Sequence, residues 1–178
     1  MFTQSKTRFA VLLALCFVFC FVFCFVFCFA LPAGAKPSAP VSTAQREIQA
    51  IYNKINAAAM QKDVDSVYAY DSDDYTLIDK KGHVHEPSEG RQEMEQGMEV
   101  ADSIMATTVI QSFIGTDTEA TMTIKEHAVV RIGNTTTGRA AKITADDTAR
   151  EHWVKTADGW QRTRTRILSG RNAFQKNF

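Results

Sequence analysis

Past residue 103 the sequence stops repeating at helical spacing and begins to alternate, and no other feature limits the available folds as strongly. The runs Ile104–Ile114, Glu119–Ile132, Arg139–Lys155 and Trp160–Ser169 are rich in Thr, Val, Ile and aromatic residues, the types that fit a pleated, half-buried surface. Turn signals separate them at Gly115-Thr116-Asp117, Gly133-Asn134 and Asp158-Gly159. An antiparallel meander of four long strands is predicted.

The preceding stretch is helical. From Thr43, a residue type that caps helices, apolar side chains recur at Ile48, Ile51, Tyr52, Ile55 and Ala59, the spacing of a helix with one buried face. That helix is expected to end near Lys62. Asp63 can cap a short second helix burying Val64, Val67 and Tyr68, which the polar cluster Asp71-Ser72-Asp73-Asp74 should stop. Tyr75–Asp79 reads as a strand, Lys80-Lys81-Gly82 as a turn and His83-Val84-His85 as a brief edge strand. Pro87 then opens a third helix with Met94, Met98 and Ala101 along its inner stripe. Three helices packed on a curved, mostly antiparallel sheet make an α+β domain over residues 43–172, with 173–178 as a frayed tail.

Residues 1–35 differ sharply from this. Lys6 and Arg8 precede an apolar run over 9–31, and Ala33-Gly34-Ala35 gives the small-x-small pattern of a cleavage site. An export signal cut after Ala35 is expected, followed by a Pro- and Ser-rich linker over 36–42 and delivery to a periplasmic or extracellular compartment. The run is also long enough to stay uncleaved as an anchor, the only route to a membrane contact. All four cysteines (Cys16, Cys20, Cys24, Cys28) lie in a Cys-Phe-Val-Phe repeat inside it, so the exported domain has none and must rely on its core rather than disulfides. The whole chain has 20 basic and 20 acidic residues, and removing Lys6 and Arg8 leaves 18 basic against 20 acidic. Such a balance lacks the basic footprint of a nucleic-acid binder.

The passage from Asp63 through Val64-Asp65-Ser66 to Asp73-Asp74-Tyr75-Thr76-Leu77-Ile78-Asp79, with Gly82 and Gly90-Arg91 after it, resembles the helix-to-strand segment of the nuclear-transport-factor-2-like superfamily. The ending Glu151-His152-Trp153-Val154-Lys155-Thr156-Ala157-Asp158-Gly159-Trp160 looks like the last hairpin of its SnoaL-like branch. The resemblance spans roughly Thr43 to Ser169. It implies a cone with an internal pocket, and a superfamily whose members include ketosteroid isomerase, polyketide cyclases, dehydratases and catalytically silent binding domains. Homodimers are frequent in it, so a homodimer is expected here. It places Asp79 where ketosteroid isomerase carries its general base and Glu151 near that enzyme's protonated oxyanion-hole carboxyl. The tyrosine completing that hole aligns with Ile55, leaving Tyr52, one turn earlier, as a substitute donor.

Strand alternation adds candidates. Ala120, Met122, Ile124, Glu126, Ala128, Val130 and Ile132 share one face, so Glu126 should project into the interior, where a carboxylate needs a partner or a proton. Arg162, Arg164 and Arg166 should share a face, pointing either into the cone to clamp an acid or outward as a solvated or dimer surface. Trp153 could wall a pocket or simply fill the core. The pocket candidates are Tyr52, Tyr75, Asp79, Glu126, Trp153 and Arg164. His83, His85 and Glu86 offer only part of a zinc site, and no metal is expected; His127 and His152 are isolated. Asn134-Thr135-Thr136 fits a glycosylation acceptor. No nucleophile elbow, phosphate loop or dinucleotide fingerprint occurs, and no cofactor is expected. Three functions stay open: a domain binding a small, partly apolar molecule, an isomerase, cyclase or dehydratase using Asp79, and a dimeric interaction module without ligand.

Overall fold

The structure, a computed structural model, describes residues 41–133 and 140–176. The expected export signal, most of the linker and the Asn134 acceptor lie outside the described residues. In chain order the elements are α1 (Thr43–Gln61), α2 (Val64–Tyr68), β1 (Asp71–Ile78), β2 (Val84–His85), α3 (Pro87–Val100), β3 (Ser103–Gly115), β4 (Glu119–Ile132), β5 (Ala141–Thr156) and β6 (Gly159–Lys176). They make an α+β fold around one mixed sheet of order β2-β1-β6-β5-β4-β3, in which only the β1–β6 pair is parallel.

Local chemistry sets most boundaries. Ser42, one residue before the expected cap, accepts a hydrogen bond from the Gln45 amide, and Thr43 is the first helical residue. Lys62 ends α1 at φ 60°, and its Nζ donates to the Ala101 carbonyl beyond α3. Asp63 caps α2 through the Ser66 amide, and Pro87 occupies the first turn of α3, where its missing N–H costs nothing.

Two expectations about strand ends are corrected. The short helix ends before the Asp71–Asp74 cluster, as expected, but the strand expected from Tyr75 already begins at Asp71, whose carboxylate Arg162 on β6 receives. Residues 173–176 are not a frayed tail: β6 runs on to Lys176, pairing with β5 as far as Ala141.

Ile48 and Tyr52 of α1 pack on Met122, Ile124, Ala149, Trp153 and Trp160 of the sheet. Ile48, Ile124 and Trp153 are fully buried, and truncating a side chain of this kind costs about 2–5 kcal/mol. A second cluster joins Ala58, Val67 and Met98 between the three helices.

Candidate functional site

The helices and the inner sheet face line a half-open cavity of about 540 Å³. Its wall is largely aliphatic, with Ile55, Met94, Ile104, Val130, Ile143 and Ile167 among the contributors. Into this wall β4 delivers Glu126. Ala120, Met122 and Ile124 alternate inward and are buried, so the next inward position is residue 126.

Glu126 sits in a row that crosses the sheet: Thr108 opposite it on β3, Asp147 opposite it on β5, and Gly170 beyond Asp147 on β6. The Asp147 carboxylate lies over Gly170, where a Cβ would come 2.2 Å from Oδ1 and oblige that side chain to turn away. Burial pushes the Glu126 carboxyl up to about 7, with repulsion from Glu151 and Asp147 adding to it and Arg162 opposing. Burial also raises Asp147, against the pull of Lys80. Among the described residues no hydrogen bond to the Glu126 carboxylate occurs.

Deeper in the interior stands an ionic anchor. Glu151, 1% exposed, accepts through Oε1 from Arg162 Nη1 and Thr165 Oγ1, both at 3.1 Å, and through Oε2 from Tyr52 and from Trp153 Nε1 at 2.8 Å. Arg162 Nε donates to Asp71 Oδ1 at 2.7 Å, and its guanidinium lies 5.1 Å from the Tyr75 ring centre and 6.0 Å from that of Trp153. Burial and the neighbouring Glu151 carboxylate push the Tyr52 hydroxyl well above its ordinary range, and burial takes Tyr75 up to about 12. Burial also raises the Asp71 carboxyl despite Arg162. A buried ion set is tolerated only when its lone pairs are met, and the anchor meets both oxygens of Glu151.

The sequence-derived candidates therefore separate. Tyr75 and Glu126 line the cavity. Tyr52 and Trp153 are anchor residues outside its lining, their rings in an edge-to-face pair 5.6 Å apart. Glu151 touches the cavity, but both its oxygens are engaged by protein groups: Arg162 and Thr165 on one, Tyr52 and Trp153 on the other. Asp79 is corrected most strongly: it lies outside the cavity lining. Its Oδ1 accepts from the Lys81 and His83 amides at 2.7 and 2.9 Å, closing the turn around Gly82 at φ 89°. Desolvation works upward on Asp79, but those amides and then His83 and His85 hold it below its ordinary value.

Arg164 is corrected as well. The β5–β6 register steps from Trp153↔Arg162 to His152↔Arg164, so Thr163 forms a bulge that reverses the alternation. Arg162 consequently points inward while Arg164 and Arg166 are exposed, and Thr165 takes the buried position between them. His83 and His85 both lean on Asp79 Oδ2, at 3.5 and 3.8 Å. Among the described residues no cluster of His, Asp and Glu is arranged to hold a metal ion. Sequence reasoning missed Asp71 and Asp147; the second faces Glu126 across β4–β5, but the register joining them depends on a turn whose length sequence alone does not settle.

No family model matches the chain, and no curated protein matches it. Solved structures do. A protein of Kribbella flavida superposes with a TM-score of 0.59 at 14% identity, covering 72% of this chain and 93% of that one. A domain of unknown function with a cystatin-like fold from Nostoc punctiforme gives 0.54 at 16% identity, over 71% and 77% of the two chains. A hexachlorocyclohexane dehydrochlorinase gives 0.54 at 9% identity, over 75% and 88%. These likenesses establish the cystatin-like, nuclear-transport-factor-2-like cone as the fold, and nothing about activity.

Proposed function

We propose that this is an exported, SnoaL-like domain that holds a small, largely apolar molecule inside its cone. The observation carrying the reading is the cavity: about 540 Å³, within the range of small-molecule sites, aliphatic over most of its wall and provided with a carboxylate that no other described residue hydrogen-bonds. A domain needing only a core has no reason to place a carboxylate on that apolar face, where burial penalises its charge. The export part of the reading rests on the residues of 1–35. If the bound molecule is turned over, Glu126 rather than Asp79 is the group placed to take a proton from it. A homodimer is supported by the apolar stripe that β3, an edge strand, exposes at Met105, Val109 and Ile114.

Native mass spectrometry of the exported protein tests the reading. The expected spectrum shows a non-covalent small-molecule adduct on each chain; bare polypeptide that takes up no apolar compound would contradict it.

A further inference from the structure

The charged groups of the cavity decide which class of molecule it suits. Its lining carries Glu86, Glu126, Asp147 and Glu151 against a single guanidinium, Arg162. Arg162 is already committed, to Glu151 at 3.1 Å and to Asp71 at 2.7 Å. Its side chain is 11% exposed, so it offers little to a newcomer. His127 reaches the lining, but its ring turns to Asp146 at 2.9 Å. Lys80, whose charge acts on Asp147, stands in the exposed β1–β2 turn.

An anionic ligand would therefore add a negative charge to a wall already rich in them. A neutral apolar ligand would leave Glu126 either as an unpaired, desolvated carboxylate or obliged to hold a proton, a state that costs more as pH rises. An ammonium group removes that cost, because it supplies both the missing hydrogen-bond donors and the missing charge. Glu126 and Asp147 are cross-strand neighbours on the same face, so one ammonium with three donors can engage both.

Resting on the cavity reading above, we infer that the cone selects amphipathic cations: molecules with a hydrophobic body for the aliphatic wall and a protonated amine for the Glu126–Asp147 pair. The groups acting electrically on Glu126 are Asp147 and Glu151 on β5, Arg162 on β6 and the Tyr52 hydroxyl on α1. Amine binding accordingly strengthens as pH rises through the titration of Glu126.

Calorimetric titration with three isosteres, naphthylmethylamine, naphthylmethanol and naphthoate, tests the inference on wild type, Glu126→Gln and Asp147→Asn. In wild type at mildly alkaline pH the amine should bind about tenfold or more tightly than the alcohol, the scale of a charge-assisted hydrogen bond, with naphthoate weakest. Glu126→Gln should abolish the preference for the amine over the alcohol, and Asp147→Asn should remove part of it. Equal binding of amine and alcohol in wild type, or a preference surviving in Glu126→Gln, overturns the cation inference and leaves the cavity reading standing. Failure of all three compounds to bind overturns both.

Discussion

Replacing Glu126 by Gln should stabilise the protein, and by an amount that depends on pH. The carboxyl is raised from an ordinary value of 4.5 to about 7 by burial and by its acidic neighbours. A group raised in the folded state binds more protons folded than unfolded between those values, so its contribution favours folding at acid pH and is lost as pH rises through about 7. The interval is worth about 3 kcal/mol at ~1.4 kcal/mol per pH unit. Gln is nearly isosteric and cannot ionise. The stability gained by Glu126→Gln should thus be below about 1 kcal/mol near pH 5 and approach about 3 kcal/mol above pH 8. Urea unfolding followed by the fluorescence of buried Trp153 and Trp160 measures both proteins across that range. Subtracting one from the other cancels the titration of every group the two share. A difference that stays flat with pH, or a variant less stable than wild type at pH 8, would refute the placement of a desolvated, unpaired carboxylate at residue 126.

Three further outcomes follow from other parts of the fold. Arg162→Met should destabilise by about 3–5 kcal/mol by leaving Glu151 and Asp71 as uncompensated buried charges, and chemical denaturation of Arg162→Met combined with Glu151→Gln should show less than the sum of the single losses. Gly115→Ala would put a Cβ 2.6 Å from the Glu119 carbonyl oxygen, a backbone clash expected to cost about 1–3 kcal/mol and visible as a lowered midpoint in thermal unfolding. Asp79→Ala should lower stability only modestly, because the two exposed turn amides lose an acceptor that water can replace, and Arg164→Ala should lie within about 0.5 kcal/mol of wild type. Neither should change the affinity for naphthylmethylamine, as calorimetry would show.

Features governed by neighbours in sequence were readable from the chain. The buried stripe of α1, the Asp63 cap, Pro87 at the start of α3 and the inward facing of Glu126 each follow from local spacing or from simple alternation. What escaped depends on partners distant in sequence. The cluster Asp71–Asp74 looks like a loop until Arg162 is known to receive Asp71 from another strand, 91 residues away. The bulge at Thr163 leaves no mark in a Thr-Arg repeat, and its one extra residue turned Arg164 outward and Arg162 into the anchor. Asp79 matches a catalytic position by resemblance, but its carboxylate is consumed by amides two and four residues on, a competition that a motif does not display.

The central claim is that the cavity is where this domain holds its ligand, and isoleucine-methyl NMR during titration with naphthylmethylamine tests it most directly. The expected shifts fall on Ile104, Ile143 and Ile167 in the cavity wall, with fully buried Ile48 and outward-facing Ile114 unmoved. Shifts centred on Ile114, or saturation of the protein without movement of the three cavity methyls, would contradict it.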